Sequence, residues 1–145
     1  MTDKRHVFIS YSGDRGTVLA RRVSRLLGEL GIDADLPIKP IWEPDNEWDD
    51  EVIADIRSAE AVIFIEPADE RLAPHVLFEI GAAHALGKRI FGVGAEREEV
   101  YADETSNAAG VLHIYDLIDA TNLDDAALAA ALDANLGADT LRPSA

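Results

Sequence analysis

"AVIFIEP", residues 61–67, is the stretch on which the architecture turns. It is an unbroken apolar run, rich in β-branched side chains and closed by an acid and a proline. A half-exposed strand would alternate apolar with polar residues, and a buried helix would need a longer run. A strand covered on both faces reads in this way, and such strands belong to parallel sheets flanked by crossover helices. The centre of a parallel sheet is expected here.

The segments on either side repeat one unit. Upstream, "HVFISY" (6–11) reads as a strand, "SGDRG" (12–16) as a turn-rich loop, and Val18, Leu19, Val23, Leu26, Leu27 and Leu30 as the apolar positions of a helix stopped by Gly31. "IDADLPIKPIW" (32–42) holds a short strand interrupted by Pro37 and Pro40, and "EPDNEW" (43–48) is a polar loop. Asp45 or Asn46 can cap a helix whose apolar positions are Trp48, Val52, Ile53 and Ile56, ending near Ser58.

Downstream, Pro74 suits the first turn of a helix that Gly87 closes, and "KRIFGVG" (88–94) is a further strand. Residues 95–110 are polar and irregular, with room for a short helix. "VLHIYD" (111–116) reads as the last strand, and an Ala- and Leu-rich helix covers roughly 123–136. The pattern predicts a doubly wound five-stranded parallel sheet with helices on both faces. Residues 1–137 are expected to form a single domain, and 138–145 ("ADTLRPSA") a frayed, flexible tail. Ligands of such sheets bind at the carboxyl ends of the strands, so loops 12–16, 43–48 and 67–74 should share one rim.

Composition narrows the chemistry. The chain has 145 residues, 48% of them hydrophobic, enough for a core of its own. Its formal net charge of −15 argues against wrapping nucleic acid or docking on an anionic membrane surface. With no cysteine, disulfides, thiolate catalysis and cysteine metal sites are excluded, and a reducing, cytoplasmic setting is expected. "MTDKRHVFIS" lacks a signal-peptide core, and no apolar stretch approaches the ~20 residues that span a bilayer. The histidines at 6, 75, 84 and 113 lie far apart without paired-ligand spacing, so no metal site is expected.

The loop "SYSGDRGT" (10–17) carries glycines at 13 and 16 but matches neither the dinucleotide fingerprint nor the phosphate loop. It leaves Ser12, Asp14 and Arg15 leading into a helix N-terminus, where backbone N–H groups favour an anion. An ordinary capped turn explains the loop equally well, and Arg15 could simply pair with a surface acid. Trp42 and Trp48 can likewise be core residues or a ligand platform. A phosphoacceptor receiver domain would need paired acids after the first strand, an Asp ending the third and a Lys ending the fifth. Those places hold Ser10 and Tyr11, then Glu66 and Pro67, and no lysine follows Lys88.

"APHVLFEIGAAHALGKRI" (73–90) sets a carboxylate, Glu79, into an apolar helix. Its neighbours three, four and seven positions away are His75, Val76, Ala82, Ala83 and Leu86, with no cation among them. Glu79 either marks the wet edge of a mostly buried helix or serves a function, and its place one turn into the helix sets it on the rim of the crevice. A desolvated carboxylate suits cleavage of an N-glycosidic bond to a cationic base such as nicotinamide. The base leaves neutral while positive charge grows on the ribose, so one carboxylate can stabilise or attack that centre. O-glycoside hydrolysis, by contrast, generally wants a second carboxyl to protonate the leaving oxygen.

"VFISYSGD" (7–14), "EPDNEWDDEVIADIRSAEAVIFI" (43–65) and "HVLFEIGAAHALGKRI" (75–90), in this order, resemble the Toll/interleukin-1 receptor (TIR) domain, particularly its bacterial stand-alone forms. The resemblance covers about 7–94 and implies a flavodoxin-like fold. It also implies Glu79 as the catalytic carboxylate, with Ser10, Tyr11, Ser12 and Trp48 in the pocket; Asp14 and Arg15, from the loop after the first strand, are expected to line the same crevice. His75 joins this substrate-binding set where the family commonly has an aromatic residue, and "PDNEW" lacks the family's usual Pro-Gly. NAD is implied as substrate, with no cofactor, giving nicotinamide and ADP-ribose or a cyclic relative. Activation by self-association with other TIR subunits is implied too, as is a separate effector that responds to the product, in antiphage defence signalling.

Two further readings stay open. "FEIGAAHALGKRI" (78–90) is also similar to the glutamate-bearing helix of nucleoside deoxyribosyltransferases, which would exchange bases on a deoxynucleoside. A non-catalytic TIR scaffold acting by self-association is the third.

Overall fold

The computed structural model describes residues 5–36, 48–66, 73–94 and 115–137. In chain order these form β1 (Arg5–Ser10), α1 (Gly13–Glu29), β2 (Ile32–Asp35), α2 (Trp48–Ser58), β3 (Ala61–Glu66), α3 (Pro74–Ala85), β4 (Arg89–Gly94), β5 (Asp116–Asp119) and α4 (Asp125–Gly137). The strands make one parallel five-stranded sheet in the order β2-β1-β3-β4-β5. All six residues of β3 are buried, as its unbroken apolar sequence requires of the central strand.

Alternate residues of each strand feed two separate cores. Val7, Ile9, Ile63, Ile65 and Val93 pack with Leu19, Val23, Leu27 of α1 and Leu128, Leu132 of α4. Phe8, Val62 and Phe64 face the other way, against Val52 and Ile56 of α2 and Val76, Ile80 and Ala83 of α3. A β-carbon at Gly92 would sit 2.4 Å from the Phe64 ring, so β4 has a glycine where that ring crosses it. At the end of α3, Gly87 takes φ 70° while its N–H donates to His84 O and that of Lys88 to Ala83 O, a Schellman closure. Opposite, Arg22 and Arg25 of α1 both hold the Asp125 carboxylate, and Arg22 also donates to Leu123 O.

Two elements differ from the sequence pattern. Ser12 is already extended (φ −151°, ψ 157°) and serves as N-cap, so α1 starts at Gly13 and absorbs most of the stretch read as a loop. The fifth strand pairs with β4 through Asp116–Asp119, beyond most of "VLHIYD". There Ile118 points into the α1/α4 core and Leu117 packs against the α2/α3 core, so a run of only two apolar residues serves both faces at this edge. Residues 111–114 lie outside the described residues, as do Trp42, loop positions 43–47 and 67–72, the stretch 95–110 and the tail 138–145. Among the described residues, no helix is long and apolar enough to cross a membrane.

Candidate active site

The strand order places the topological switch point between β1 and β3, since the chain winds outward from β1 to β2 on one side and from β3 onward on the other. Open α/β sheets bind ligands at the carboxyl ends of the strands at such a point. Ser10 ends β1 there, level with Phe64 of β3. It shares strand parity with Phe8, so its side chain is turned towards α2 and α3.

α3 starts at this same rim and runs back beneath the sheet. Its buried stripe is Val76, Glu79, Ile80 and Ala83, the spacing of one helical face. Glu79 therefore lies within the buried face, not at a wet edge. Ser10 Oγ donates to Glu79 Oε1 at 2.7 Å, and both residues are 0% exposed. A buried carboxylate is costly without compensating partners, and a hydroxyl aimed at one oxygen both lowers that cost and fixes the orientation of the group.

Tyr11 is half-buried and packs against the α1/α4 core. Burial pushes its phenol above the ordinary tyrosine value; nearby Arg21 opposes the shift and the Glu79 charge adds to it. The phenol thus stays protonated at neutral pH and lies within electrostatic reach of the carboxylate. His75, in the first turn of α3, places Nε2 3.0 Å from Tyr11 O. A carbonyl can only accept, so Nε2 carries the proton and ties α3 to the end of β1. Ser12 is half-buried and makes no side-chain cap bond, and Gly13 takes φ 73° while its carbonyl accepts from Thr17 Oγ1 at 2.7 Å.

The structure thus brings Ser10, Tyr11, His75 and Glu79 together, with Ser12 adjoining them. Asp14 and Arg15 lie exposed in the first turn of α1. Trp48 opens α2, and its side chain lies outside the described part of the structure. Among the described residues, no group of three or more His, Cys, Asp or Glu is placed to hold a metal ion. One buried acid was not singled out by sequence reasoning. Glu66 ends β3 on the same face as Phe64 and is 7% exposed. Its signal was an acid set directly after the apolar run of the central strand.

No family model and no curated protein matches this sequence. Solved structures do share its fold. A 2-deoxyribosyltransferase from Leishmania mexicana has TM-score 0.63 and 19% identity, over 89% of this chain and 97% of its own. The CMP N-glycosidase BcmB of Clostridium botulinum has TM-score 0.58 and 20% identity, over 90% of this chain and 98% of its own. The TIR domains in the activated Roq1 resistosome, which directly recognises the effector XopQ, have TM-score 0.53 and 15% identity, over 76% of this chain and 69% of theirs. The chain has the flavodoxin-like fold that these proteins share.

Proposed function

We propose that this protein cleaves the N-glycosyl bond of a nucleotide, with Glu79 as the carboxylate that meets the anomeric carbon and NAD as the substrate. The observation that carries the reading is the fully buried Ser10–Glu79 pair at the switch point. Ser10 holds one carboxylate oxygen and so fixes the orientation of the group that acts on the sugar. As the C1′–N bond breaks, its electron pair goes to the pyridinium nitrogen and nicotinamide leaves neutral. The positive charge left on the ribose is stabilised or captured by Glu79. Water then attacks C1′ and releases ADP-ribose and a proton, or a nucleophile within the same ADP-ribose closes a ring. Ser12, Asp14, Arg15 and Trp48 complete the proposed crevice, and His75 positions α3. The TIR resemblance supports activity in assemblies of TIR subunits, inside the cell, with a product read by a separate effector in antiphage defence.

A second reading has its own support. The two neighbours that cover nearly all of this chain are named for cleaving CMP or transferring 2-deoxyribose. A pyrimidine or purine leaves as a poor anion, so such a reaction needs a donor at the base, and the phenol of Tyr11, within electrostatic reach of Glu79, would supply it.

Concentrated protein incubated with NAD, CMP and deoxynucleosides, with products followed by mass spectrometry, separates these readings. Nicotinamide release lost in Glu79→Gln is the expected result. Parallel progress curves for parent and variant would remove Glu79 from the chemistry. Consumption of CMP or deoxynucleosides with NAD untouched would favour the second reading. Self-association without binding of any nucleotide would leave only a scaffold.

A further inference from the structure

Glu66 is a buried carboxylate to which the proposed chemistry assigns no task. Phe64 is level with Ser10 on the neighbouring strand. Strand geometry then sets Glu66 roughly 6.6 Å further out along β3, on a strand about 4.8 Å from β1. Because it shares parity with Phe64, Glu66 faces the same side of the sheet as Ser10 and Glu79. Its partner across β4 is Gly94, where a β-carbon would lie 3.5 Å from Glu66 Cβ and 3.6 Å from Oε2. On the β4 side the carboxylate is flanked by Gly94, which has no side chain to cover it. A carboxylate offers about four lone-pair sites, enough to keep a protein contact and still accept from a ligand.

We propose that Glu66 accepts hydrogen bonds from the vicinal 2′- and 3′-hydroxyls of the pentose whose C1′ faces Glu79, and so sets a preference for ribosyl over 2′-deoxyribosyl substrates. The inference rests on the N-glycosyl reading of this crevice. Two oxygens in one plane match a cis-diol, whereas a 2′-deoxy sugar presents one hydroxyl.

The test uses Glu79→Gln protein as a turnover-silent parent, titrated calorimetrically with NAD and its 2′-deoxy nicotinamide-riboside analogue, and with CMP and dCMP. Adding Glu66→Gln should weaken the ribosyl member of the bound pair about 10- to 100-fold, the range of a hydrogen bond to a charged group. The deoxy member, which keeps one of the two hydroxyls, should weaken by at least about threefold less than the ribosyl member. Gly94→Val, which fills the space beside Glu66 and leaves both carboxylates in place, should abolish the same discrimination, with circular dichroism confirming the fold. Equal weakening of both members, or no change, overturns the assignment of Glu66 and leaves the N-glycosyl reading standing wherever wild type turns substrate over. Failure of the parent to bind either pair overturns both.

Discussion

Ser10→Ala removes the hydroxyl that donates to the buried Glu79 carboxylate at 2.7 Å. Hydrogen bonds to charged groups contribute about 1.5–3 kcal/mol, and here a buried oxygen is left without its donor, so a loss of about 2 kcal/mol is expected. In a domain of this size that lowers Tm by about 4–8 °C. Glu79→Gln keeps an acceptor oxygen for Ser10 and removes the cost of burying a charge, so it should lie within about 1 kcal/mol of wild type, or above it. In that background Ser10→Ala should cost only a neutral hydrogen bond, about 1 kcal/mol or less. Urea denaturation of the four proteins yields the cycle, with an expected coupling of about 1 kcal/mol. An equal cost of Ser10→Ala in both backgrounds would show that the hydroxyl does not hold a carboxylate charge, and the chemistry proposed for Glu79 would lose its basis.

Three other outcomes are expected. Gly92→Ala forces a β-carbon to within 2.4 Å of the Phe64 ring and should cost about 1–3 kcal/mol in thermal or denaturant unfolding, partly restored by Phe64→Leu. Hydrogen bonds from Arg22 and then Arg25 hold the Asp125 carboxyl below its ordinary range. Its folded pKa is thus lower than its unfolded one, so its stabilisation is present above the ordinary aspartate value and fades as pH falls through the folded one. Wild type and Asp125→Asn should therefore differ most near neutrality, converge in acid, and converge also at high salt. For Tyr11, an absorbance titration subtracted against Tyr11→Phe should find the phenol above the ordinary value, and Glu79→Gln should lower it by removing the nearby negative charge. An unchanged Tyr11 titration in Glu79→Gln would separate the two groups.

Much of the fold is legible in local pattern. "AVIFIEP" has no polar alternation because β3 is covered on both faces, and the i, i+3, i+4, i+7 spacing of Val76, Glu79, Ile80 and Ala83 already marks one helical face. Gly87 announces the end of α3 because few other residues adopt positive φ without strain. The edge strand β5 escaped this reading. Composition points to the apolar run "VLHIY", of which 111–114 lie outside the described residues; among those described, pairing with β4 is made by "DLID", where Leu117 and Ile118 divide between two cores. The start of α1 escaped it too, because glycine and aspartate favour turns as readily as a first helical turn.

Sequence alone determined the doubly wound sheet, its central strand and a carboxylate among apolar residues of α3, because periodicity and caps are local. Only the tertiary structure decided that Glu79 is fully buried and held by Ser10, 69 residues away. It alone set His75 against the Tyr11 carbonyl, and Glu66 on the same face of the sheet with Gly94 beside it. These contacts arise from strand order and register, which bring distant residues to one rim, and no window of neighbouring residues contains that information.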